Sequence, residues 1–364
     1  MKRILLIATV ALLAASCGPK GNTYVLKGTV TDSLALTPGA FIQITNMQTG
    51  AKDTAAIEGG KFVITGEASP EQMCFARLVI PDGPAIRGKL SANFIPEKGR
   101  IKLDLDLSTV SGTPLNNSLQ AFSNVQADYM KEVMALYEQA ESADEAAEAE
   151  IEAQIDEANA KFQQAAVACA KENATSIVGL TALRAVIYDI SLEDLDSVLE
   201  GASDLLKTDS RITRIRDLKV AESQTAEGCM FKDFAGADPS GKLSRFSDYV
   251  GKGKYVLVDF WASWCGPCKG EIPNIKEMYE TYGPKGLTVL GVAVWDKDNS
   301  GSRKTMEEYG MKWNQIFVGE DTTPTDIYGI AGIPRIMLFA PDGTIYKQSI
   351  RGAEIKKAVS EIYD

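Results

Sequence analysis

From Tyr24 to about Val110, hydrophobic and polar residues alternate with period two, in short runs separated by turn residues. Ile101, Leu103, Leu105 and Leu107 alternate with Lys102, Asp104 and Asp106, and residues 41–44 and 61–64 follow the same rule. A strand with one buried and one wet face needs that spacing. Turns are predicted at Thr37-Pro38-Gly39, Glu58-Gly59-Gly60 and Pro81-Asp82-Gly83. The pattern describes an antiparallel β-sandwich over 23–112, and nothing within it forms a catalytic constellation.

Between 113 and 222 the period becomes helical. Ile151, Ile155, Ala158, Phe162, Ala165 and Cys169 are spaced to line one helix face, with Glu148, Glu150, Glu152, Asp156 and Glu157 on the remainder. Further helices are predicted to start near Ser191, with Asp194 as its capping partner, and near Asp209. A helical hairpin with short helices accounts for this region. From about Gly228, buried strands (255–260, 287–294 and 336–339) alternate with helices (271–282, 302–309 and 353–362), and a hairpin follows through Pro341-Asp342-Gly343. Such alternation implies a sheet covered on both faces. The fold class is therefore multidomain α/β, which suits 364 residues at roughly 150 per domain.

Charge narrows the function. The formal net charge of −11 is concentrated in 116–172, with 3 basic and 12 acidic side chains, whereas 229–364 carries 17 and 18. No basic stripe suggests nucleic-acid binding, and the acidic run reads as a solvated helix face because the apolar seam runs through it. The chain has no histidine, which removes histidine-based triads and histidine metal ligation. Acid–base work falls to carboxylates, Lys, Tyr or Cys.

Lys2 and Arg3 precede an apolar run over 4–15 that ends in Ala14, Ala15, Ser16 and Cys17. The run is too short to span a bilayer and reads as a signal peptide over 1–16. A cysteine directly after the small residues resembles the bacterial lipoprotein signal, although Ala14 stands where Leu is more usual. The resemblance implies lipidation of Cys17, a tether over 17–22, and membrane attachment through the N-terminal lipid. Gly18 in place of Asp removes a known inner-membrane retention signal. The expected location is the periplasm of a Gram-negative bacterium, with the inner leaflet of the outer membrane favoured.

Candidate chemistry lies at Trp261-Ala262-Ser263-Trp264-Cys265-Gly266-Pro267-Cys268-Lys269, between a buried strand and a helix. A Cys-x-x-Cys there puts the first sulfur at the helix N-terminus, where N–H groups and the macrodipole favour thiolate. The second sulfur lies one turn further in, within reach of a disulfide. These residues resemble the active site of thioredoxin, and Gly332-Ile333-Pro334 before an apolar strand resembles its cis-proline loop. Pro273, five residues past Cys268, matches the proline in the active-site helix. The strand–helix segment around 289–309 and Glu271 are similar to the membrane-tethered TlpA/ResA-type reductases, so a thioredoxin fold is expected over 223–364. The regions before it resemble, more weakly, N-terminal regions fused to such domains in lipoproteins.

The resemblance implies a thiol–disulfide oxidoreductase with no cofactor beyond a redox-active Cys265–Cys268 disulfide. Cys265 would attack a substrate disulfide and Cys268 would resolve the mixed disulfide. Asp259, the odd acid in an apolar strand, is a candidate proton acceptor with a raised pKa. Glu271 either tunes the thiols or is a helix-surface charge. Pro334 would face the disulfide, with Trp264, Gly266, Pro267, Gly332 and Ile333 lining a docking surface, while Trp261 belongs to the core. Implied partners are protein thiols and disulfides, cytochrome c maturation substrates being one possibility, and an inner-membrane electron donor.

Other readings are weaker. Cys74, Cys169 and Cys229 are too scattered to complete a zinc site; Cys74 and Cys169 read as buried small hydrophobes, with a disulfide among the three left open. A peroxidase would need a different context around its cysteine. A different class of function makes the first 220 residues a binding module that delivers an accessory redox domain to its partner.

Overall fold

The computed structural model describes residues 21–81 and 89–364. The leader over 1–16, Cys17, most of the tether and the Asp82-Gly83 portion of a predicted turn lie outside the described residues. The chain divides into two compact units, one ending at Asp209 and the other spanning Ser210–Asp364. The sandwich and the helical hairpin thus belong to one unit, and the helix predicted near Asp209 belongs to the other.

In the first unit, strands β1 (Thr23–Thr29), β2 (Phe41–Asn46), β3 (Lys52–Ala56), β4 (Lys61–Glu67), β5 (Cys74–Val79), β6 (Ser91–Phe94), β7 (Gly99–Asp104) and β8 (Thr109–Ser111) build two four-stranded sheets, ordered β4-β1-β7-β8 and β3-β2-β5-β6. One face of each sheet is buried, through Leu26, Phe62, Ile64, Ile101 and Leu103 in one and Ile42, Ile44, Leu78 and Phe94 in the other. Tyr24 meets Phe94 at a ring-centroid distance of 5.9 Å, joining the two sheets. The expectation of a fully antiparallel sandwich is corrected at one place: β1 and β7 pair in parallel. Alternation reports which residues are buried, and it is blind to strand direction. Gly28 has a packing reason, because a Cβ there would sit 1.9 Å from the Phe62 ring.

Helices α1 (Pro114–Ala140) and α2 (Glu145–Glu172) form the hairpin. Tyr129 stacks on Phe162 at 4.4 Å and donates a 2.7 Å hydrogen bond to Asn159 Oδ1. The predicted seam is buried at Ile151, Ala158 and Phe162, then moves to Ala166 and Ala170. The cause is a second partner, since α2 packs against both α1 and α3 (Ile177–Val186). Two short helices follow, α4 (Leu192–Glu200) and α5 (Asp204–Lys207). Ser191 caps α4, its Oγ accepting from Asp194 N at 3.0 Å.

The second unit starts with α6 (Ser210–Ser223) and continues through β9 (Ala235–Ala237), β10 (Leu243–Arg245), β11 (Val256–Trp261), α7 (Gly266–Tyr282), β12 (Thr288–Val294), α8 (Asn299–Tyr309), β13 (Asn314–Gly319), α9 (Thr323–Ile327), β14 (Arg335–Phe339), β15 (Ile345–Gln348) and α10 (Ala353–Tyr363). Its seven strands run in the order β10-β9-β13-β12-β11-β14-β15. β11, β12 and β13 are parallel, and β14 pairs antiparallel with β11. Every residue of β11 is buried. Val258 and Phe260 enter the core on one face with Phe234, Phe246 and Tyr328. Leu257 and Trp261 enter the other, with Cys268, Ile272 and Ile275 of α7. By strand alternation Asp259 points to the α7 side. α6 is tied to this unit by the Arg214–Asp326 and Arg335–Glu222 ion pairs.

Candidate active site

Strand β11 ends at Trp261, and four residues later the chain turns into α7. Cys265 is the N-cap of α7: its Sγ accepts from Cys268 N at 3.1 Å. The two sulfurs are joined in a disulfide, with Cα atoms 5.3 Å apart. Cys265 is 4% and Cys268 1% exposed, whereas Trp264 beside them is 62% exposed. Gly266 and Pro267 are the exposed first residues of the helix. Pro273 lies inside α7, so the carbonyl four residues back, on Lys269, has no helical N–H donor.

The Ile333-Pro334 peptide bond is cis. Cys265 Sγ lies 3.8 Å from the Ile333 carbonyl oxygen, which brings the loop from Gly332 to Pro334 against the disulfide. Gly332 is exposed, Ile333 half-buried and Pro334 buried. Two arginines hold this loop. Arg351 donates to Pro334 O at 2.9 Å, and Arg335 donates to Glu222 of α6 at 2.8 Å and to Gln348 of β15 at 3.0 Å.

On the α7 side of β11, Asp259 is 1% exposed, and neither carboxylate oxygen has a hydrogen-bond partner. Burial, with a smaller push from the Glu271 charge, raises its pKa to about 8. Most of the carboxyl population is therefore neutral at pH 7, the form that an unpartnered interior tolerates. Glu271 sits in the first turns of α7. It accepts from Gly352 N at 3.1 Å and from Asn274 Nδ2 at 2.8 Å, so it is a held side chain rather than a free surface charge. The ten residues expected from 259 to 334 thus gather at the C-terminal end of β11, the start of α7 and the loop before β14. Trp261 is core, as expected, and donates to Gln315 Oε1 at 3.1 Å.

Two further residues act on the loop between β11 and α7, residues 262–265. Asp296, buried after β12, accepts from Ser263 N at 3.2 Å, from Ser263 Oγ at 2.7 Å and from Ser302 Oγ. Trp295, at φ 57, accepts from Trp264 Nε1 at 3.2 Å through its carbonyl. A Cβ on Gly301 would come within 2.6 Å of Ser263 Oγ, so α8 approaches this loop closely. A usable signal existed: Trp295-Asp296 ends a buried apolar run at the C-terminal edge of a parallel sheet, where functional groups gather.

Cys74, Cys169 and Cys229 are free thiols. Burial pushes the Cys74 thiol up to about 11. Among the described residues, no group of three or more Cys, Asp or Glu could hold a metal ion, and no helix is long and apolar enough to cross a membrane.

Two family models match, one described as the AhpC/TSA family over residues 228–348 and one as a domain of unknown function, DUF4369, over 24–119. The thiol-disulfide oxidoreductase ResA of Geobacillus kaustophilus is 31% identical over 138 residues, 38% of this chain and 76% of that protein. The chain belongs to the ResA thiol-disulfide oxidoreductase family. The ResA of Geobacillus thermodenitrificans is 29% identical over 140 residues, 38% of this chain and 78% of that protein. Among solved structures, the thioredoxin domain of a thiol-disulfide oxidoreductase from Bacteroides vulgatus is 32% identical, covering 38% of this chain and 99% of that one, with a TM-score of 0.36. The ResA-like chemistry is thus that of a thiol-disulfide oxidoreductase, carried on the second unit.

Proposed function

We propose that the protein reduces protein disulfides at the Cys265-Gly266-Pro267-Cys268 dithiol through a mixed disulfide. The observation that carries this reading is the placement of Cys265 Sγ, capped by the Cys268 N–H and set against the Ile333 carbonyl before a cis proline. Helix N-terminal N–H groups stabilise a thiolate at that position. The Cys265 thiolate attacks the substrate disulfide, breaking its S–S bond and forming a mixed disulfide; the departing substrate sulfur takes a proton from solvent. Cys268 then gives its proton to ionised Asp259 and attacks Cys265 Sγ. The second substrate sulfur leaves reduced, and the pair is oxidised by two electrons. In the oxidised state Asp259 keeps the proton, as its raised pKa favours. Exposed Trp264, Gly266 and Gly332 leave room for a partner backbone beside Ile333, because a Cβ on either glycine would meet nothing within 4 Å.

The same reading places the enzyme in the periplasm, lipid-anchored through Cys17 and recharged by an inner-membrane dithiol donor. Reduction is favoured over oxidation because the Gly-Pro dipeptide is that of thioredoxin, at about −270 mV, against about −120 mV for a strong periplasmic oxidant. The test is the reduction potential of the pair in the full chain. A value near thioredoxin's supports a reductase, and a value near the oxidant's makes the protein a disulfide donor. Thiol-dependent consumption of peroxide would point instead to a peroxidase.

A further inference from the structure

The outer face of the β4-β1-β7-β8 sheet forms an open concavity of about 580 Å³ in the first unit. Strand register places its side chains in two rows. One row runs Val63, Lys27, Lys102, Ser111 and the next runs Lys61, Thr29, Asp104, Thr109. Lys27 and Lys102 are direct cross-strand neighbours, an arrangement that repels when nothing lies between the two charges. Among the described residues none of the three lysines makes an ion pair. The one carboxylate in the rows, Asp104, is engaged by Thr29 Oγ1 at 3.1 Å and Leu107 N at 3.0 Å. A protein of net charge −11 thus gathers three unpaired cations around its concavity, with the hydroxyls of Thr109 and Ser111 beside them.

We propose that this concavity binds a small soluble phosphate ester or diphosphate. Lysines bind phosphate as point charges, and three of them around one concavity suit a tetrahedral oxyanion with many acceptors, which several ammonium groups can approach at once. Hydroxyls of Thr109 and Ser111 donate to the remaining oxygens, and exposed Val63 offers an apolar wall to an organic portion. The site is independent of the redox chemistry.

Calorimetric titration of the full chain with pyrophosphate, at ionic strength held constant with chloride, tests it. Saturable one-site binding is expected, weakened at least tenfold in the Lys27→Gln/Lys102→Gln double variant. It should be unchanged in Lys131→Gln/Lys171→Gln, a control on the helical hairpin. Thermal melting of each variant reports folding, and removal of the repelling pair should not lower the melting temperature. Absence of saturable binding, an equal loss in the control, or binding confined to vesicles of phosphatidylglycerol would overturn the proposal.

Discussion

The strands of the two units hold polar residues under opposite rules. In β11 all six residues are buried, because helices and loops cover both faces of the sheet, so Asp259 has no wet side to occupy. In β1 and β7 only alternate residues are buried, and Lys27 and Lys102 stand where polar residues are ordinary. Burying an unpartnered carboxyl is costly, and a strand tolerates it where the group has other work. A lysine on a wet face costs nothing, so it signals nothing until its cross-strand neighbour is known. A two-sided sheet therefore displays its site in one dimension, and a one-sided sheet displays it only in two.

That contrast breaks down if the polar groups near α7 prove dispensable. The largest effect is expected from the cysteines themselves. Cys265→Ser should abolish disulfide reduction, whereas Cys268→Ser should accumulate a mixed disulfide with substrate, visible on non-reducing gels and released by dithiothreitol. Turnover by either variant at the wild-type rate would remove the dithiol mechanism.

Asp259→Asn comes next. General acid–base assistance is worth about 10²–10⁴-fold, so resolution of the mixed disulfide, followed by rapid quench, should slow by roughly 10²-fold at pH 8. The wild-type rate should climb as pH rises through about 8, where Asp259 ionises, and the variant should lack that inflection. Stability carries the opposite sign. A carboxyl whose folded pKa is raised stays protonated in the native state while the unfolded chain ionises from about pH 4 upward. Wild-type stability should thus fall as pH rises from about 4 to about 8, and Asn should flatten that slope in denaturant titrations. A parallel slope in both proteins would show that Asp259 is not the group responsible.

The charged clamp behind the motif should have a smaller effect. Asp296→Ala leaves the Ser263 N–H and two hydroxyls without their acceptor, a loss of about 1–3 kcal/mol. Trp264 emission should shift as well, since its indole is held by the adjoining Trp295 carbonyl. Asp296→Asn keeps an acceptor and should recover part of both signals. A stability loss without any change at Trp264 would make Asp296 a scaffold residue unconnected to the motif.

How much of this was legible depends on the same contrast. The alternating runs located β2, β4 and β7, and the continuous runs located β11, β12 and β14, because burial is written directly into composition. β13 was missed, since Asn314-Gln315 opens it and Gln315 is buried as a partner of Trp261. The parallel β1–β7 pairing was missed because period two carries no direction. At the site, Cys265, Cys268 and Pro334 follow from local motifs, whereas Asp296, Arg351 and Gly352 reach it across the fold from distant parts of the chain. The helix α6 left its expected region for a similar reason: Glu222 pairs with Arg335, 113 positions away.

The finest test concerns Glu271, whose charge is the lesser cause of the raised Asp259 pKa, after burial. Glu271→Gln keeps an acceptor for Gly352 N and for Asn274, so the start of α7 and the loop before α10 should stay in place. What disappears is a negative charge that disfavours ionisation of Asp259. The Asp259 pKa should fall, and the rise in the resolution rate should move to lower pH by less than one unit, because desolvation remains. An unchanged profile would make burial alone sufficient, and a profile moved upward would mean that Glu271 affects the thiols directly and not through the buried carboxyl.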